Sequence, residues 1–439
     1  MSWEGSGRPR ENEGAPTAVA SAEGRPRVRI STFRAFGYRN FRFLWLGQVS
    51  NSAAIWTEQV ARPLLIVALI PDPAAAAIHL GAIQMARTIP QLFFGLIGGV
   101  LADWFDRRWL LLLSKTPYMT VNFIFALIIL SGNLELWHVY ATTILKAFLT
   151  SFDQPARQAL IPSLVASEDV PNAVALNQGS MTTMRIGGAP LAALLVVLFD
   201  FGVTFLFVAL FSGMAVIFTY LMRVPPPDFA GEKNLTAGVI SLKEGIAYAW
   251  HDLNIRAAIV LTMAYFLLGM AYLQVFAPLL ATHVMGIGKE GYGAMISVAG
   301  IGGALGLVVI ASTSPTTNRG PIMLVLMTLL GVFLIGFGGS TYGFPLAVTF
   351  GFIALVGMVQ STFNALATTV LIMSAPVEMR GRIMGLLSLD RATIAGGGML
   401  AGFLAAVLGP QMAQMPFGVG CIVFALILAT VMPHIRKLQ

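Results

Sequence analysis

The chain has 439 residues, of which 56% are hydrophobic and 11% charged, and its mean hydropathy is +0.78. That composition excludes a soluble domain of this length and places the chain in a lipid bilayer. Its formal net charge of +7 does not mark a nucleic-acid binder, because the basic residues fall in short connectors and tails between apolar runs.

Residues 1–38 are rich in Gly, Pro, Glu and Arg and lack an apolar core. The expectation is a disordered basic cytoplasmic tail, neither a secretory signal nor an organellar transit peptide. Between Ser31 and Phe43, Arg34, Arg39 and Arg42 alternate with Phe33, Phe36, Tyr38, Phe41 and Phe43. That pattern suits a short helix at the lipid headgroups, or a mere continuation of the tail.

A bilayer core takes about 20 apolar residues per helix, and the remainder of the chain divides into twelve such spans. They cover residues 41–69, 78–103, 108–131, 136–154, 172–199, 203–222, 257–282, 291–312, 321–340, 344–373, 383–409 and 415–432. The connectors alternate in charge. One set holds Arg107, Arg108, Arg157, Arg223, Lys233, Lys243, Arg319, Arg380 and Arg382, besides the tail and the terminal Arg436 and Lys437. The opposite set holds a single basic residue, Lys289. Positive-inside then puts both termini in the cytoplasm of a multi-pass inner-membrane protein.

The linker at 223–256 opens with VPPPDF, which breaks the sixth span, and continues as SLKEGIAYAWHDL. Leu242, Ile246, Trp250 and Leu253 recur at helical spacing opposite Lys243, Glu244 and Asp252, as in an amphipathic helix on the inner leaflet or a soluble linker helix. The expected organisation is therefore a tail (1–38), a six-helix bundle (39–222), the linker (223–256) and a second six-helix bundle (257–439). The halves echo each other weakly: MRIGGAPLAALL in span five and DRATIAGGGMLAGFLAA in span eleven each follow an arginine with small residues, which let helices approach closely.

Ionisable residues inside spans cost at least a few kcal/mol each and need a partner or a watery cavity. The candidates are Glu58, Arg62, Arg87, Lys146, Asp153, Arg185, Asp390 and Arg391. Glu58 lies ~16 Å and Arg87 ~14 Å below the same surface, so Glu58 pairs either with Arg87 or with Arg62, one turn away on its own helix. Two roles fit Glu58: a proton or cation site, or a permanent ion pair. Asp390 is a second candidate for protonation against a structural bridge, and Arg185 points to an anionic substrate group or a carboxylate across the cavity. Gln84, Asn177, Gln274, Gln360 and Asn364 are candidate cavity-lining residues. Lys146 and Asp153 stand two turns apart on one face of span four, and Asp153 is expected among the gate charges around Arg107 and Arg157.

The second connector reads GGVLADWFDRR, residues 98–108. Asp103 closes the incoming helix, where the macrodipole disfavours an anion, whereas Asp106 opens the outgoing one and can cap it. Gly99, Asp103, Arg107 and Arg108 resemble the loop between spans two and three of the major facilitator superfamily, with Trp104 and Asp106 departing from its usual basic residue and glycine. Arg87-Thr88-Ile89-Pro90, FDQPARQALIPSLV with NAVALNQ at 152–178, the KEG…W segment and PVEMRGRIMG at 376–385 are similar to the efflux branch that includes enterobactin-exporter-like proteins. The resemblance covers nearly everything beyond residue 38. It implies an all-α polytopic membrane protein of the major facilitator fold, with Asp103 helping to lock two halves in one state of a transport cycle. Span five has Gly187, Gly188, Ala189 and Pro190 in place of the Gly-Pro dipeptide usual in proton-coupled exporters of this superfamily, which weakens the inference of antiport.

No phosphate loop and no metal-spaced cluster occurs, and the single cysteine, Cys421, lies in the last span. The reading is a non-enzymatic secondary transporter without a cofactor. It is expected to be a monomer, exporting a hydrophobic or amphipathic small molecule against protons. A lipid translocator and a non-transporting assembly factor on the same fold are the alternatives.

Overall fold

The computed structural model describes residues 31–224, 247–312, 319–374 and 390–437. Every regular element among them is helical. In chain order the long helices are α1 (Arg39–Leu69), α2 (Pro73–Trp104), α3 (Arg107–Leu130), α4 (Leu136–Leu160), α5 (Val170–Leu198) and α6 (Phe201–Leu221). After the linker come α7 (Leu253–Val284), α8 (Gly288–Ser312), α9 (Arg319–Ser340), α10 (Leu346–Ser374), α11 (Asp390–Leu408) and α12 (Pro410–Val431).

Eight of these, α3 and α6 to α12, are long and apolar enough to cross a membrane. The other four, α1, α2, α4 and α5, carry Glu58, Arg62, Arg87, Lys146, Asp153, Arg157 and Arg185. Charge of that kind suits a helix facing a chamber and penalises one facing lipid.

Capping chemistry sets several boundaries outside the expected ones. α2 begins five residues early, at Pro73, because Asp72 accepts the Ala75 amide at 2.9 Å and proline is preorganised for a first turn. α7 begins at Leu253, not 257, because the Asp252 carboxylate accepts the amides of Asn254 and Ile255 at 2.9 and 3.0 Å. Of the expected linker helix, residues 247–251 are helical; Leu242, Lys243, Glu244 and Ile246 lie outside the described residues, as does the basic tail before Ser31.

The segment expected at the headgroups is a 3-10 turn, Ser31–Gly37, held by protein contacts. Arg34 bridges Glu168 at 3.2 Å and Asp169 at 3.4 Å, and the Tyr38 hydroxyl donates to Asp169 at 2.9 Å. Phe41 and Leu44 bury beside Leu111, Leu160 and Ile161, so this turn clips the start of α1 to the connection between α4 and α5.

α1 packs on α5 and α6, α2 on α4, and α3 on α4 and α6. In the second part α7 packs on α11 and α12, α8 on α10, and α9 on α10 and α12. Two large contacts join the parts: α2 with α11, and α5 with α8. The first is closest where both helices are nearly bare backbone. A Cβ on Gly81 would stand 2.7 Å from the Gly398 carbonyl oxygen, and one on Gly402 would strike the Ala77 carbonyl. The small residues of span eleven thus do admit a close neighbour. These contacts lie at the start of α2 and the end of α11, and Gly293 meets Ala193 at the start of α8 and the end of α5. All four helix ends adjoin the connectors poor in basic residues, so the two parts touch on that side.

Candidate functional site

Below that contact, toward the basic connectors, two cavities of ≈ 380 and ≈ 280 Å³ share Trp56, Gln59, Gln84, Arg87, Gln91, Gln274 and Arg391, and so form one chamber. Helices from both parts of the chain line it. Among the described residues, the charged side chains in its walls are three acids, Glu58, Asp153 and Asp390, and five bases, Arg62, Arg87, Lys146, Arg157 and Arg391.

Glu58 is the centre of the first cluster. Arg62, one turn further along α1, donates to it from Nε at 2.9 Å, with Nη2 also at 2.8 Å. The second partner is Lys146 of α4, its Nζ 2.5 Å from Oε2, and the Tyr118 hydroxyl of α3 donates to the same oxygen at 3.1 Å. Lys146 is further held by the Asn122 amide oxygen at 2.8 Å, and Arg62 by the Val139 carbonyl at 2.9 Å and the Thr143 hydroxyl at 2.5 Å. Three helices are therefore pinned around one carboxylate.

Of the two expected partners, the structure pairs Glu58 with Arg62. Arg87 lines the chamber but makes no hydrogen bond or ion pair with a described residue. Nor do Lys146 and Asp153 act together, despite sharing a face of α4. Asp153 pairs with Lys115 of α3 at 3.1 Å and with Arg157, one turn on, at 3.4 Å. Lys115, Tyr118 and Asn122 were not among the sequence candidates. Their signal was there: three polar residues at i, i+3 and i+7 mark a single inward face of span three.

Asp390, at the start of α11, lines the chamber with its Oδ1 buried and without a hydrogen-bond partner among the described residues. Its neighbour Arg391 reaches across to Gln154 of α4, 2.5 Å away, and so ties the two parts together. The adjacent pair does diverge onto different faces.

Gln84, Gln274, Gln360 and Asn364 all line the chamber. Gln274 belongs to a π-helical turn, Tyr272–Phe276, and its Oε1 is buried without a partner. Such turns recur where a helix re-aims a side chain at a functional site. Gln360 donates to the Gly269 carbonyl at 3.0 Å and Asn364 to the Tyr265 hydroxyl at 2.7 Å, so both are held in place. Asn177 is buried in α5 and lines neither cavity. Arg185 lies in α5, and its side chain is outside the described residues, as are those of Gly99 and Asp103 in α2.

In the connector, Asp106 caps α3 by accepting the Arg108 amide at 2.8 Å. Arg107 donates to the Ala159 carbonyl at 2.9 Å and Arg108 to the Tyr220 carbonyl at 2.6 Å, at the ends of α4 and α6. Cations at helix C-termini satisfy free carbonyls and complement the dipole. Asp153 and Arg157 join this side through α4, though Arg107 itself bonds backbone and not Asp153.

With this geometry established, residues 30–439 match the family model described as transmembrane secretion effector, a group within the major facilitator superfamily. The chain belongs to that family. It is 26% identical to the enterobactin exporter EntS of Shigella boydii serotype 4, over 91% of this chain and 93% of the exporter. The staphyloferrin A transporter of Staphylococcus aureus is 21% identical over 76% of this chain and 82% of its own length. Among solved structures, the nucleoside transporter NupG superposes with a TM-score of 0.70 at 15% identity, covering 90% of this chain and 99% of that one. A D-xylose–proton symporter does so at 0.66 and 13% identity, covering 93% and 99%. These likenesses show a transporter fold. The family member is a multi-pass membrane transporter, and its exporter relatives place it in the efflux branch.

Proposed function

We propose that this chain is a secondary exporter working by alternating access. In this reading all twelve long helices span the inner membrane as two six-helix bundles, 39–222 and 257–439, joined by the 223–256 linker, with both termini cytoplasmic and a monomer as the working unit. The observation that carries it is the chamber between the two parts, walled by charged side chains from both and closed on the side poor in basic residues. With the basic connectors in the cytoplasm, that is an inward-facing state ready to load.

The cargo is a hydrophobic or amphipathic small molecule, siderophore-like by analogy with the substrates that name the relatives. Glu58 is fully engaged by Arg62, Lys146 and Tyr118, which favours a packing role for it. Asp390, whose Oδ1 is buried without a described partner, is the stronger candidate to carry a proton inward against the cargo. Efflux of a panel of dyes and catecholate or carboxylate chelators from a pump-deficient host, with and without an uncoupler, tests this. The reading expects uncoupler-sensitive efflux that Asp390→Asn cripples; efflux indifferent to both would refute the coupling.

A further inference from the structure

We propose that the chamber recognises cargo carrying a negative charge, with the Arg87 guanidinium as its anchor; this rests on the export reading above. Among the described residues the walls hold five bases against three acids. Two of the three acids are already engaged by bases. Glu58 is shared between Arg62 and Lys146, and Asp153 between Lys115 and Arg157. Arg391 takes the Gln154 amide oxygen. Arg87 is left beside this set as a half-buried cation without a hydrogen bond or ion pair to a described residue.

A guanidinium at membrane depth is costly unless an anion or water meets it. It also presents two parallel N–H donors that match a carboxylate or a phosphate, an arrangement a lysine cannot copy. Gln84 and Gln59 line both cavities with it, and amides supply further donors to an anionic oxygen. Trp56, Phe266, Met270 and Ile296 line the same cavity. A charged end held at Arg87 and an apolar body against these side chains describe an amphipathic anion.

The linkage has a direction. Neutralising Glu58 removes one acid from the wall and makes the chamber more positive, so an anion and a proton on Glu58 favour each other's binding. The same sign holds for Asp390 in the wall of the same cavity, so an anion and a proton exchange only if they occupy the chamber in turn.

The test uses three dansyl probes of one body and different charge, namely dansylglycine, dansylglycinamide and dansylcadaverine. Binding to the purified full-length protein is read by fluorescence, and movement by uptake into proteoliposomes. The expectation is that dansylglycine binds about tenfold or more tighter than the neutral amide, a difference worth about 1.4 kcal/mol. Arg87→Gln abolishes the preference, and Arg87→Lys, which keeps the charge and controls for folding, retains part of it. Equal or better binding of the neutral or cationic probe, with transport intact, overturns the anion assignment and leaves the export reading standing. So does an Arg87→Gln protein that still prefers the anion. Folded protein that neither binds nor moves any of the three overturns both.

Discussion

Replacing Glu58 by glutamine tests whether one carboxylate pins α1, α3 and α4. Lys146 would then keep only the Asn122 amide oxygen at 2.8 Å and the face of Tyr118 at 5.3 Å. Arg62 is better provided, with the Val139 carbonyl at 2.9 Å, the Thr143 hydroxyl at 2.5 Å and the Phe125 ring at 5.2 Å. Removing one partner of a buried pair costs about 3–5 kcal/mol. Glutamine still accepts one bond, and the Glu58 side chain keeps 15% exposure, so the loss sits at the low edge, about 3 kcal/mol. Lys146→Met alone leaves Glu58 on Arg62 and costs about 2 kcal/mol, within the range of one charge-assisted hydrogen bond. The double variant no longer buries an unpaired lysine, so the two changes couple by about 2 kcal/mol. Reversible unfolding by SDS in mixed micelles gives all four corners of this cycle. Losses that add to within about 0.5 kcal/mol would refute the shared-carboxylate argument.

Other expectations follow from separate contacts. Gly402→Leu forces a side chain against the Ala77 backbone and should shift the protein away from the closed state on that side, seen as longer spin-label distances between the start of α2 and the end of α11; unchanged distances contradict it. Lys115→Met leaves Asp153 with Arg157 alone at 3.4 Å and should cost about 3 kcal/mol in the same unfolding assay, against near zero if the pair is incidental. Arg34→Glu reverses a clip in which Arg34 and Glu168 are more than half exposed and Asp169 is buried, so global stability should fall by no more than about 1 kcal/mol. Amide exchange across residues 31–37 should nevertheless speed up as the turn detaches; unchanged exchange would show that apolar packing alone holds it.

Much of the helix layout was legible because membrane spans announce themselves by length and apolarity, and caps such as Asp106 are local. Local charge pairing was legible for the same reason. Arg62 stands one turn from Glu58, and Arg157 one turn from Asp153, so helical spacing alone brings them together. The pairings between helices were not. Lys146 reaches Glu58 and Lys115 reaches Asp153 only because α3 and α4 are rotated to face α1 and each other, and rotation depends on packing that depth estimates do not contain. Matching depths suggested Arg87 for Glu58; depth constrains one coordinate and leaves the azimuth open. Gln84, Gln274, Gln360 and Asn364 reached the chamber, and Asn177 did not, for the same reason: a polar residue in a span faces something polar, but a buried helix–helix seam can serve as well as a cavity. Boundaries slipped where a cap extended a helix into polar sequence, as Asp72 and Asp252 do.

The central claim is that the chamber around Gln59 and Arg87 is reached from one side of the membrane at a time. A single cysteine at Gln59, in a Cys421→Ala background, measures this directly through labelling by an impermeant maleimide in everted and in right-side-out vesicles. The account predicts labelling from the cytoplasmic side and protection from the outer side in the resting protein, reversing when Gly402→Leu is added. Labelling from neither side, or from both at once, would contradict it.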